Sequence, residues 1–368
     1  MSSWTNIKIG AAVGALAITA LLLPTFERPP VQSTQTGFRG TAMEQVTNPR
    51  LRTRTVAMNQ VPPAPEPADN EGDRASAIYE NVQLLGDLSN AQFLRIMTAI
   101  TEWVVPQSVR DNPDSAGGCA YCHNVANMAS DEVYTKVVTR RMLQMVRTIN
   151  NHPHVGATGV TCYTCHRGQA VPTAVWSAPA LPQHGLQAQT GQNRVSAAAA
   201  GASLAVDPFT PYLLQDREIR VITANTSLPG YNASSILQTE WTYALMMHMA
   251  QSLGVNCTFC HNSRAFSSWE QSPPQRLTAW HGIRMVRNVN MTYIEPLTPL
   301  WQANPNGPAD IGHRVARLGP MGDALKVNCT TCHRGLNRPL NGVPMLQDYP
   351  ELRVIRDGPA RSASLGPQ

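Results

Sequence analysis

Charge is scarce in this chain. Asp, Glu, Lys and Arg make up 14% of its 368 residues, about half the usual share. Few helix faces can therefore be solvated by charge. No basic cluster is dense enough to hold nucleic acid. Only six histidines stand outside one recurring motif: His152, His154, His184, His248, His281 and His313. No cysteine stands outside it at all. There is a single long apolar run, from Ile9 to Phe26. Proline (29) and glycine (25) are plentiful, so long irregular loops are expected between the helices.

The eight cysteines form four copies of Cys-x-x-Cys-His. They are Cys119-Ala-Tyr-Cys122-His123, Cys162-Tyr-Thr-Cys165-His166, Cys257-Thr-Phe-Cys260-His261 and Cys329-Thr-Thr-Cys332-His333. This is the pattern of covalent c-type haem attachment. Thiols at i and i+3 can reach the two vinyl groups of one porphyrin, and the adjacent histidine becomes the proximal iron ligand. Zinc hooks do not need a histidine directly after the second cysteine four times over. Disulfide scaffolds are small, and a thioredoxin-like redox motif does not come in fours. Four c-type haems are expected, with part of the core supplied by them and a poorly folded apo chain. Each haem brings two propionates and an iron centre of charge about +1 or 0. Four of them offset the formal +5 by roughly 4 to 8 units, leaving a holoprotein near neutral or mildly acidic.

The run from Ile9 to Phe26 rises about 27 Å as a helix, close to the hydrocarbon thickness. Trp4 and Phe26 fall near the two interfaces. No small-x-small cleavage site follows Leu23-Pro24-Thr25, so a retained anchor is expected rather than a secretory signal. The Lys/Arg balance does not orient it. The haems do, because c-type attachment takes place on the outer side of the bacterial cytoplasmic membrane.

The fold class read from this pattern is mainly α with long irregular loops: a multihaem cytochrome c of two duplicated haem-pair units behind one transmembrane helix. The units read as 1–26 anchor, 27–75 extended strap, 76–181 first haem pair, 182–203 linker, 204–345 second haem pair and 346–368 extended tail. The duplication shows in Cys122-His123-Asn124 against Cys260-His261-Asn262, and in Thr164-Cys165-His166-Arg167-Gly168 against Thr331-Cys332-His333-Arg334-Gly335. It shows again in Met145-Val146-Arg147-Thr148-Ile149-Asn150 against Met285-Val286-Arg287-Asn288-Val289-Asn290. A helical pattern precedes each motif. One is capped by Ser89 and ends at Pro106, with Phe93, Met97, Ile100 and Val104 on a face. One opens at Ser130-Asp131-Glu132, with a stripe of Tyr134, Val138, Met142, Met145 and Ile149. One runs from Ser234 to Leu253, and one opens at Ser272-Pro273.

A carrier haem needs a second axial ligand, Met or His. Aligning the halves sets Ile96-Met97 against Leu245-Met246, Met145 against Met285, and Met142 against Gly282. The fourth haem therefore lacks the equivalent of Met142, and His154, eight residues before Cys162, is the candidate to replace it. The axial set is Met97, Met142, Met246 and His154, with Met247, Met249, Met145, His152 and His281 as the nearest alternatives. His184, His248 and His313 are expected to be surface or core polar residues.

The four ordered motifs resemble the tetrahaem cytochrome subunit of purple-type photosynthetic reaction centres over residues 40–345. So do Thr101-Glu102-Trp103-Val104, the run from Gly159 to Gly168 and the run from Leu253 to Asn262. The resemblance implies three Met/His haems and one bis-His haem, which matches Met97, Met142 and Met246, and His154 paired with His333. The stretch from Met142 to His154 is short for the family, so His152 stays beside His154. The chain also lacks the lipid-modified cysteine of some members. The resemblance further implies an electron carrier on the periplasmic face of the reaction-centre core, close to the core light-harvesting antenna. It would re-reduce the photo-oxidised bacteriochlorophyll special pair with electrons from a soluble cytochrome c or a high-potential iron–sulfur protein. Filled coordination shells and the absence of a Cys-x-x-Cys-Lys variant argue against a self-contained enzyme. The alternatives are a membrane-anchored tetrahaem quinol dehydrogenase, which would be shorter, more His-rich and lower in potential, and a multihaem oxidoreductase with one open iron.

Overall fold

A computed structural model describes residues 3–25, 30–36, 43–180, 195–221, 235–308 and 314–353. Helices dominate, and the sheets among these residues are two short antiparallel ribbons. Helix α1 (Ser3–Leu22) continues into a 3-10 turn at Leu23–Thr25. The 22-residue stretch Trp4–Thr25 is apolar enough to cross a membrane and has none of its surface buried against the protein. Phe26 lies outside the described residues.

The strap is less extended than its composition suggests. β1 (Gln32–Gln35) pairs with β2 (Glu44–Thr47) in a ribbon, with Gln32 opposite Thr47. α2 (Pro49–Met58) follows, its first turn capped by the Asn48 side chain. Pro49 occupies the first helical position, where its missing N–H has no partner to lose, so proline here starts a helix instead of preventing one. Among the described residues of the strap, 60–73 is the one long stretch without regular structure. The strap crosses the second half of the chain. Thr258 Oγ1 donates to Glu44 O (2.8 Å), and the fully buried Asn59 donates to Arg334 O (3.3 Å).

α3 (Asn90–Val104) begins in a capping box between Ser89 and Gln92 and stops before Pro106. Its fully buried face is Ile96, Ala99, Ile100 and Trp103. Of the expected stripe only Ile100 is on it, and Phe93, Met97 and Val104 flank it half-buried. The shift has a cause at the other end of the chain. Trp103 packs edge-on against Tyr349 at 4.5 Å, and Leu346, Tyr349 and Leu352 complete the same core. The first eight residues of the expected extended tail, 346–353, pack against this core instead of running free of it. Met345–Asp348 and Pro350–Leu352 are short buried helical turns, pinned by the buried Arg95–Glu351 ion pair (3.4 Å). Residues 354–368 lie outside the described part.

α4 (Tyr134–Asn150) starts later than Ser130-Asp131-Glu132 suggests. The Asp131 carboxylate, instead of sitting in the first turn, reaches forward to Arg140 (2.7 Å) and Lys136 (3.2 Å). The apolar stripe is as expected: Met145 and Ile149 are buried, with Tyr134, Val138 and Met142 beside them. α5 (Ile236–Leu253) is capped by Ser235 and ends at Gly254 in the left-handed region (φ 65°). Ser234 is outside the described residues. α6 (Gln275–Asn288) has Pro274 at its cap, so it starts two residues later than Ser272-Pro273 suggests. It runs on through a π turn at Val289–Ile294. β3 (Val175–Trp176) pairs with β4 (Lys326–Val327), joining the two halves. Of the expected linker, 182–194 is outside the described residues, and Ala197–Ala199 forms a 3-10 turn.

Candidate haem site

All four motifs fold as a single helical turn. Cys162–His166 and Cys329–His333 are short α-helices. In the other two, the histidine N–H reaches back to the first cysteine's carbonyl: His123 to Cys119 at 2.9 Å and His261 to Cys257 at 3.0 Å. One turn sets both thiols and the imidazole on one side.

Each motif histidine has its Nδ1 on a backbone carbonyl. The partners are Met128 O for His123 (3.3 Å), Gln169 O for His166 (2.8 Å), Phe266 O for His261 (2.9 Å) and Leu336 O for His333 (2.9 Å). An Nδ1–H held by a carbonyl leaves the Nε2 lone pair free for a metal and fixes the ring orientation. Burial keeps these rings neutral: it lowers the pKa of His123 and His261, and takes His166 and His333 down to about 4. Burial likewise pushes the Cys162 and Cys329 thiols up to about 12 and Cys260 to about 11. No cluster of three His, Cys, Asp or Glu suited to a metal ion occurs among the described residues.

A largely apolar cavity of about 630 Å³ threads between the motifs. Cys122, Cys162, Cys165, Cys260 and Cys332 line it, as do His166, His333, Met142 and His154. Its lining suits a flat apolar cofactor. Met97 and Met246 lie outside it. They sit half-buried beside the fully buried Ile96 and Leu245, in equivalent places on α3 and α5.

The internal repeat recurs as matched contacts. Asn150 clamps Val160 through both backbone groups (2.7 and 3.1 Å), two residues before Cys162. Asn290 clamps Val327 in the same way (2.9 and 3.0 Å), two residues before Cys329. Gly168 N–H donates to Trp103 O and Gly335 N–H to Ser252 O, both at 2.7 Å. Arg167 and Arg334 both take the left-handed conformation (φ 51° and 46°). Each donates to the carbonyl of the opposite motif's second cysteine: Arg167 to Cys332 (3.4 Å) and Arg334 to Cys165 (3.0 Å). The second and fourth motifs thus meet about a local two-fold, with Cys165 and Cys332 sulfurs 3.0 Å apart.

The exception to the repeat is also visible. His154 lies against α6 at Gly282, where a Cβ would fall 2.7 Å from its Cε1. Its ring faces His333 with centroids 6.0 Å apart. Its Nδ1 is 2.9 Å from Thr278 O, the arrangement found at the four motif histidines. His152 differs, because its Nδ1 accepts from His154 N–H (3.3 Å) and its ring faces His281 at 6.1 Å. Met145 and Met285 pack in one cluster. His248 is a buried polar residue bonded to Ser252 (3.2 Å), while His184 and His313 lie outside the described residues. Two contributors carried no sequence signal: Thr278, which acts through its carbonyl, and Arg317, which lines the cavity from outside any motif.

Single-turn Cys-x-x-Cys-His helices with oriented neutral imidazoles over an apolar cavity define a c-type cytochrome. The family model described as photosynthetic reaction centre cytochrome c subunit matches residues 27–353. The chain belongs to that family, whose members are electron-transfer subunits and not enzymes. A photosynthetic reaction center cytochrome c subunit of Thermochromatium tepidum is 46% identical over 341 residues, 92% of this chain and 79% of the relative. One from Rubrivivax gelatinosus is 45% identical over 95% of this chain and 91% of its own length. Cytochrome c-554 of Chloroflexus aurantiacus is more distant, 28% identical over 74% of each chain. The cofactor is c-type haem, and α1 fits a membrane-associated subunit.

Proposed function

We propose that this chain is a four-haem electron carrier on the periplasmic face of a photosynthetic reaction centre. It re-reduces the photo-oxidised bacteriochlorophyll pair and is itself refilled by a soluble cytochrome c or a high-potential iron–sulfur protein. The eight motif cysteines hold the haems, and His123, His166, His261 and His333 are the proximal ligands. Met97, Met142 and Met246 complete three irons, and His154 completes the one at His333. The haems supply reversible one-electron chemistry. The chain's own residues orient the ligands, exclude water and set the potentials.

The observation that carries this reading is the facing pair His154 and His333. An imidazole nitrogen sits about 2 Å from the metal it binds, so a metal shared by two imidazoles needs their rings about as far apart as these are (6.0 Å). The Nδ1 contact to Thr278 aims His154 and not His152, whose Nδ1 is already an acceptor. Thioether ligation raises haem potential over imidazole ligation, so one low midpoint among higher ones is expected. A redox titration tests this. His154→Met should raise the midpoint of one haem and leave the others. Four wild-type midpoints all well below zero would reject the carrier reading in favour of a quinol dehydrogenase. An unchanged variant would reject His154 as ligand.

A further inference from the structure

Arg317 belongs to the second half of the chain but ends inside the first. It donates to Ala170 O (3.3 Å), four residues past His166, and to the Tyr121 hydroxyl, next to Cys122. It lines the cavity where those two motifs meet. Its Nε is buried and makes no hydrogen bond. None of the ion pairs among the described residues includes it. The Tyr134 hydroxyl is buried and lies close enough to feel its charge. Burial pushes the Tyr121 phenol up to about 12, so it stays a neutral hydroxyl.

A guanidinium cannot discharge itself by losing its proton. Leaving it half-buried without a counter-charge costs free energy, and its unbonded Nε donor adds to the cost. A planar two-oxygen anion meets an arginine fork with two charge-assisted bonds. The haem that the neighbouring motifs hold brings such anions as its propionates.

We infer that Arg317, with the Tyr121 and Tyr134 hydroxyls, forms a carboxylate subsite that binds a propionate of the haem at the first or second motif. Arg317 is a positioning residue there, and its charge raises that haem's midpoint by favouring the ferrous state. The role rests on haem being held at Cys119/Cys122 and Cys162/Cys165, which mass spectrometry of the motif peptides checks separately.

The test uses the whole holoprotein carrying Arg317→Gln or Arg317→Lys, with propionate carboxyls labelled by carbon-13. Redox titration and redox-difference infrared spectra are read together. Arg317→Gln should lower one midpoint and shift one labelled carboxylate band, and Arg317→Lys should restore most of the midpoint. The haem whose midpoint moves identifies the source of the carboxylate. If Arg317→Gln does not accumulate, Tyr134→Phe should shift the same band. Full haem content with every midpoint and labelled band unchanged overturns the subsite. Motif peptides without haem overturn the haem placement itself, and the subsite with it.

Discussion

Gly282 is the most instructive single residue. Its counterpart in the first half is Met142, and the space a side chain would need is taken by His154. α6 is regular there, so backbone freedom is not what glycine contributes. The absence of a Cβ is. Gly282→Ala would put a methyl carbon within 2.7 Å of the His154 ring, against Thr278 that holds the ring from the same helix. The expected outcome is a displaced imidazole. One haem should then lose its low-spin optical and magnetic signature while thioether attachment of all haems persists. A variant with an unaltered spectrum would separate His154 from the iron. At this scale much was legible: the failed repeat at Gly282 singles out His154 in the sequence, and the structure sets the two side by side. Arg317 and the Thr278 carbonyl were not, because neither belongs to a motif and a backbone carbonyl has no residue identity to read.

Among the elements, the short motif helices depend on what precedes them. The matched runs ending at Asn150 and Asn290 read in sequence as packing helices. In the structure they also carry side-chain amides that bond both backbone groups of Val160 and of Val327. Asn290 is fully buried and bonds Leu213 O as well (3.0 Å). Asn290→Ala would leave buried backbone groups unpaired, each worth about 1–3 kcal/mol. Chemical denaturation should show a loss of about 2 kcal/mol or more, largest in the second half. Helix α4 offers a test by pH. Hydrogen bonding from Arg140 holds Asp131 down to about 2 from 3.8. The folded pKa is the lower one, so this stabilisation is complete above about pH 4 and fades as pH falls towards 2. Asp131 is partly exposed, which limits the effect to below about 1 kcal/mol. Asp131→Asn should lower the melting temperature slightly at pH 7 and match wild type near pH 2. Helix existence was readable here from caps and stripes. The start of α4 was not, because Asp131 is engaged with Lys136 and Arg140, and Glu132 with the Asn124 side chain.

Across the whole molecule, long-range contacts decided what local pattern could not. Proline suggested extended ends, yet Pro49 opens a helix, and Leu346, Tyr349 and Leu352 return to the core around Trp103. Burial of a distant segment leaves no periodic trace in a stretch this short. The four motifs, the two-fold repeat and the apolar N-terminal helix were readable because each is a strong local signal. Together they describe two like halves that meet where Arg167 and Arg334 cross between the second and fourth motifs. In the proposed function, the haems that these halves hold return electrons to a photo-oxidised pigment pair. Flash photolysis of membranes containing the full-length chain tests it most directly. Haem α-band bleaching should follow charge separation and rise in step with recovery of the pigment pair. Pigment recovery with no accompanying haem oxidation would overturn that role.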